Sequence, residues 1–237
     1  MLTLAIDTTA NTATAALVRD GRVLSLYTVN GLLTHSETML PMIENMLEKS
    51  ALTLDDVDMF AVSEGPGSFT GVRIGVSLIK GLAFSKNKPC VGVSTLEALA
   101  HNLDGFTGYT VPVMDARRSQ VYTAVFKNGK RITEDMLIPL SELKEKLEGF
   151  GAAKIRLCGD GYDLAKKYFD ENGIKVASTP AVLIPQNAVS VALVAARLFE
   201  KGKSVSDRSL KARYLRASQA EREREEKLNN NRSGEVK

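Results

Sequence analysis

The chain has no tryptophan, two cysteines and two histidines in 237 residues. Cys90 and Cys158 are too few for a disulfide framework or a metal knuckle, and their scarcity points to a reducing compartment. His35 and His101 fall on different elements, so the four-residue helical spacing that aims two imidazoles at one metal ion is missing. Long apolar runs are missing too, and no stretch approaches the ~20 residues that span a bilayer. The opening "MLTLAIDTTANTATAAL" lacks a basic leader and carries an acid inside its apolar run, which argues against a signal peptide. A soluble cytoplasmic protein with no membrane partner is expected. A net charge of +3 and a pI near 8.8 are too mild to declare nucleic-acid binding from the sum.

What the chain does contain is a repeated order of elements. "LTLAID", "TATAALVRDG" and "RVLSLYTV" read as three strands, with a turn at Arg19–Gly21. "THSETMLPMIENMLEKS" is helical by pattern, with Thr34 or Ser36 as a cap. "VDMFAVSEG" is a strand, "TGVRIGVSLIKGLAFSKN" a helix, "PCVGVS" a strand and "TLEALAHNL" a helix. The glycine and polar residues of "NLDGFTGYT" read as a linker. Strands at "YTVPVMDA", "SQVYTAVF" and "RITEDM" follow it, then the helix "SELKEKLEG" and the strand "KIRLCGDG". "YDLAKKYFDENG" and the alanine-rich "QNAVSVALVAARLFEKG" are the last helices. Both halves thus open with the order β-β-β-α-β-α, which predicts an α/β architecture of two similar lobes, 1–104 and 105–220. The polar stretch 221–237 reads as a frayed helix followed by disorder.

"SEGPGSFTGVRIG" (63–75) looks at first like a phosphate loop, with glycines at 65, 67, 71 and 75. Neither G-x-G-x-x-G nor G-x-x-x-x-G-K-[ST] is present. Gly71 and Gly75 would sit one turn apart inside a helix, where each costs about 1 kcal/mol relative to alanine. Close approach of another backbone is the simplest reason for them. Packing beneath a tight turn is favoured over anion binding, and a partner helix remains open. Val72, Val76, Ile79 and Ala83 line one side of this helix; Ile74, Leu78 and Leu82 line another. The preceding helix shows the same surplus, with Met39, Ile43 and Met46 on one stripe and Leu40 and Leu47 on another.

"LAIDTTANTATAAL", "HSETMLPMIENML" and above all "SEGPGSFTGVRIG", with the ending "KARYLRASQAE", resemble the TsaB (YeaZ) family over nearly the whole chain. The resemblance implies an actin-like/Hsp70-type ATPase (ASKHA) fold of two ribonuclease H-like lobes. It implies a non-catalytic subunit supporting the paralogous transferase TsaD, which makes N6-threonylcarbamoyladenosine on tRNAs reading codons that begin with A. It also implies a TsaE ATPase in a ternary assembly, tRNA contact through that assembly, and a homodimer when the partner is absent. No cofactor is implied. Partner contact would fall on His35, Met39, Met42, Ile43 and Met46 of one helix, and on Gly71, Val72, Arg73, Gly75, Val76 and Ile79 of the other. The pattern leaves open whether Val76 or Leu78 faces outward.

Other chemistries fare less well. A glycoprotease-like metallopeptidase would need metal ligands, and where the TsaD-type pair of histidines would stand the chain has His35 followed four residues on by Met39. A stand-alone kinase would need working phosphate loops. Asp7, Thr8 and Thr9 resemble the first such loop, Asp115–Arg117 and Gly159–Gly161 occupy the places of others, and none has the doubled glycines of a functional one. A vestigial nucleotide contact at Asp7–Thr9 is the most this supports. Between Lys201 and Arg216 six basic residues face one acid, Asp207. Such a run reads as a solvated face, or as a tRNA contact that Arg73, Arg117 and Arg118 could extend.

Overall fold

The computed structural model describes residues 1–31, 33–84 and 86–216. The expectations for 221–237 lie outside the described residues. Among these, the first sheet is built from β1 (Leu2–Asp7), β2 (Ala13–Arg19), β3 (Arg22–Val29), β4 (Met59–Gly65) and β5 (Cys90–Ser94), in the order β3-β2-β1-β4-β5. The second contains β6 (Tyr109–Asp115), β7 (Gln120–Thr123), β8 (Phe126–Lys127), β9 (Lys130–Arg131), β10 (Met136–Pro139), β11 (Ile155–Cys158) and β12 (Val176–Ala177). Its main path runs β10-β7-β6-β11-β12, with β8 and β9 as a small side hairpin. Both paths are antiparallel over their first three strands and parallel over the rest. The two sheets are therefore one topology used twice.

Hairpins are made where the turn residues demand them. Asp20–Gly21 and Asn128–Gly129 are two-residue turns with both φ angles positive, the geometry that matches strand twist. The strand expected over Arg131–Met136 is instead split, because Thr133 accepts from Val125 N–H and Asp135 turns inward to Arg131.

The helices are α1 (His35–Lys49), α2 (Phe69–Ala83), α3 (Thr95–His101), α4 (Leu140–Gly149), α5 (Tyr162–Glu171) and α6 (Ala188–Glu200). At the start of α1 the Glu37 carboxylate accepts from the Thr34 N–H at 2.9 Å and hydroxyl at 2.6 Å, the reach-back half of a capping box. Ser68 caps α2 by accepting from Gly71 N–H. Both helices cover one face of the first sheet, where Met39, Ile43, Met46, Val72, Val76 and Ile79 pack on Leu2, Leu4 and Ile6. Full burial of such side chains is worth about 1.5–3 kcal/mol each.

The sequence boundary at 104/105 divides the sheets but not the layers. α6, which follows the second sheet in the chain, packs on the opposite face of the first. The reason is size: Ala5, Ala16 and Ala61 on that face meet Ala188, Ala192 and Ala195, so helix and sheet approach closely. α3 in turn brings Leu96, Leu99 and Ala100 onto Met114, Ala124 and Cys158 of the second lobe.

Candidate functional site

Between the lobes lies a cleft of about 570 Å³. Its first-lobe wall is built from the β1–β2 loop and the start of α2, and its second-lobe wall from the β6–β7 hairpin and the turn before α5. Residues 214–216 of the C-terminal segment line it as well.

The β1–β2 loop is spent on its own chain. One Asp7 carboxylate oxygen accepts from Thr9 N–H at 2.8 Å and Thr9 hydroxyl at 2.7 Å, and the other accepts from Ser63 hydroxyl at 2.5 Å. Burial raises the Asp7 pKa, and those hydrogen bonds hold it back. Thr8 donates to Gly71 carbonyl at 2.7 Å, and Thr9 carbonyl accepts from Ser68 N–H at 2.7 Å. Asp7, Thr8 and Thr9 are all buried. The glycines of α2 make this possible. A Cβ at Gly71 would stand 2.0 Å from the Thr8 carbonyl oxygen, and one at Gly75 2.5 Å from the Thr8 hydroxyl. The close backbone approach that these glycines serve is thus within the chain.

Asp160, in the turn before α5, is pushed up to about 6 by burial, with the Asp115 and Asp7 carboxylates adding to the shift. At the tip of the β6–β7 hairpin Arg117, Arg118 and Ser119 all have positive φ, between 54° and 60°. Arg117 N–H donates to Asp115 at 2.7 Å, and Arg216 ties down both ends of the loop through Ala116 carbonyl (2.9 Å) and the Gln120 side chain.

The residues expected at a partner surface divide by side of the helix. Met39, Met42, Ile43, Met46, Val72, Val76 and Ile79 are buried in the chain's own core, and Gly71 and Gly75 lie against Thr8. Val76, 6% exposed, faces inward. His35 turns its Nε2 onto Ala10 carbonyl at 2.6 Å. Arg73 is exposed; its guanidinium lies 3.9 Å above the Phe69 ring and its Nε donates to Tyr214 hydroxyl at 3.0 Å. The outward sides of these helices carry Leu40, Pro41 and Glu44 on α1, and Arg73, Ser77 and Gly81 on α2, with Ile74 and Leu78 half-buried between. Leu40 is 42% exposed, and β3 adds Val23, Leu24, Leu26 and Val29, all exposed.

The basic run 201–216 keeps Lys201, Lys203, Arg208, Lys211 and Arg213 exposed, while its backbone and Leu210 are tied to the first lobe. Val205 pairs with Cys90 at the edge of β5, Leu210 is buried in the first core, and Lys80 Nζ donates to the carbonyls of Arg208 and Leu210. Arg213 N–H donates to Glu64 carbonyl at 2.7 Å, and its guanidinium approaches Asp135 of the second lobe at 3.5 Å. The only signals of such an interlobe strap in this charged, irregular stretch are scattered apolar residues, Val205, Leu210, Tyr214 and Leu215. The thiols are inert small apolar groups: burial pushes Cys90 up to about 11 and Cys158 higher. Among the described residues no group of three or more His, Cys, Asp or Glu side chains could hold a metal ion, and no helix is long and apolar enough to cross a membrane.

Two lobes of ribonuclease H-like topology, joined through exchanged helices with a cleft between them, define an α/β protein of the actin-like ATPase fold. Comparison with known proteins narrows the class. The family model of TsaD, tRNA N6-adenosine threonylcarbamoyltransferase, matches residues 33–222. The tRNA threonylcarbamoyladenosine biosynthesis protein TsaB of Escherichia coli is 32% identical over 224 residues, 91% of this chain and 95% of that one. TsaB of Bacillus subtilis is 40% identical over 152 residues, 62% of this chain and 66% of that one. Among solved structures, YeaZ from Pseudomonas aeruginosa superposes with a TM-score of 0.73 at 25% identity, covering 90% of this chain and 99% of that one. The chain belongs to the TsaB (YeaZ) family.

Proposed function

We propose that this chain is a non-catalytic subunit that supports a TsaD-like transferase in forming threonylcarbamoyladenosine on tRNA. Family membership supplies the pathway. The observation that carries the non-catalytic part is the filled β1–β2 loop: the carboxylate of Asp7 and the donors of Thr8 and Thr9 are consumed inside the chain, against glycines that leave no gap. An actin-like ATPase needs that loop open to a phosphate; here it serves as a packing surface.

The docking surface is the outward side of α1 and α2, centred on Leu40, Ile74 and Ser77; of the residues named from the resemblance it keeps Arg73 and leaves out the buried ones. The occupant is a TsaD-like subunit. The chain itself matches the TsaD model from residue 33 onward, a span that contains both helices. A partner with the same helices can pair like with like around a pseudo-twofold axis. In the partner's absence a second copy takes its place, and a TsaE-like ATPase and tRNA join the heteromer. The test is size-exclusion chromatography of the chain with its TsaD-like protein at micromolar concentration. A joint peak is expected, lost in the Leu40→Glu/Ser77→Glu variant while that variant elutes as a folded species. Separate peaks for the wild-type proteins would refute the assignment.

A further inference from the structure

The cleft holds groups that the proposed docking surface does not use. On its second-lobe wall the hairpin tip places Arg117 and Arg118 in left-handed backbone, with Ser119 after them. Tips of this kind are ordinarily built from Gly, Asn or Asp, because a Cβ in the left-handed region costs about 1–2 kcal/mol per residue. Strain of that size persists where the surroundings impose it, and here Arg216 clamps Ala116 carbonyl and Gln120 on either side. The product is two adjacent guanidiniums that line the cleft and make no ion pair or hydrogen bond among the described residues. On the opposite side Phe69 and Tyr214 stack with centroids 4.7 Å apart, Arg73 lies over Phe69, and both rings line the same cleft. Cations and an aromatic pair lining one cleft are the two halves of a site for a nucleotide unit: guanidiniums for the phosphate, a ring face for the base.

The first-lobe loop limits which phosphate. The Thr9 amide and the Thr8 and Thr9 hydroxyls are already engaged with Asp7 and Gly71, so these donors are not turned to a polyphosphate. Asp115 and Asp160 line the cleft as well, and their carboxylates oppose a densely charged ligand more than a singly charged phosphodiester. We propose that this cleft binds an RNA strand, Arg117 and Arg118 holding a backbone phosphodiester and the exposed Tyr214 ring, braced by Phe69 and Arg73, receiving a base. The choice of RNA rests on the proposed function; the site itself rests on the cleft.

Titration of the full chain, alone and with its TsaD-like partner, with a transcribed tRNA that reads codons beginning with A tests this by filter binding at several salt concentrations. Arg117→Ala/Arg118→Ala should weaken binding several-fold and reduce the slope of log affinity against log salt by about 1–2. Lys144→Ala/Lys166→Ala, which removes the same charge from α4 and α5, should change neither. Co-elution of the arginine variant with the partner isolates the effect from docking. Equal affinity of wild type and arginine variant, an equal loss in the lysine variant, or no tRNA binding by the wild type in either form would overturn the site. Binding of adenosine monophosphate without tRNA would overturn the assignment to RNA. Failure of the partner to co-elute would count against the proposed function and leave the titration of the chain alone as the test of the cleft.

Discussion

Gly71 and Gly81 lie on the same helix and answer to opposite physics. A Cβ at Gly71 would strike a backbone carbonyl at 2.0 Å, and a main-chain atom cannot rotate aside. At Gly81 nothing stands within 4 Å, and the position is exposed. Gly71→Ala should therefore lose stability: overpacking of about 1–3 kcal/mol or more outweighs a propensity gain of about 1 kcal/mol. Gly81→Ala should gain about 0.5–1 kcal/mol. Chemical denaturation of both variants checks the pair, and equal signs would mean that the Thr8 contact does not constrain the helix. Their presence inside a helix was legible from spacing. Which neighbour each one admits was not, because Thr8 lies 63 positions away in the chain.

At the scale of elements, α1 and α2 were legible in type and in their surplus of apolar sides, yet the side that faces the sheet was not. Two apolar stripes on one helix are equivalent in a periodicity argument. In the fold Met39, Ile43, Met46, Val72, Val76 and Ile79 go to the core, Leu47 joins them, Leu78 and Leu82 pack at its edge, and Leu40 stays outside. Val76→Glu would place a carboxylate among these residues and should cost at least about 3 kcal/mol, seen as loss of the folding transition. Near-native stability of that variant would mean that α2 presents another side to the core. The same distinction governs the docking proposal, since a substitution on the inner stripe would abolish partner binding by unfolding the chain and say nothing of the surface.

For the whole molecule, the C-terminal segment ties the layers together. It crosses the edge of β5 at Val205, seats Leu210 in the first core, and reaches the second lobe through Arg213 and Arg216. α6 packs on the first sheet and α3 lies between the lobes, although the second lobe keeps a core cluster of its own between Tyr109 and Phe169. Leu210→Ala should cost about 2–5 kcal/mol, as for a core leucine in a regular element, and should lower a single cooperative thermal transition. A loss under 0.5 kcal/mol would show the segment to be a passive surface trace. Arg213 also shapes the interlobe polar cluster. Burial raises the Glu64 pKa, the Arg213 guanidinium pulls it back, and Asp135 pushes it further up.

The first-lobe order of strands and helices, the duplication, the hairpin turns and the family were determined by local residue pattern, because turn chemistry and apolar period act within a few positions. The split at Arg131–Met136 and the short β12 were not. The filling of the β1–β2 loop, the inward side of α2, the exchange of α3 and α6, and the strap that carries Leu210 were decided only by tertiary structure. Each depends on groups that meet from distant parts of the chain, where shape and unsatisfied donors, not local propensity, set the outcome.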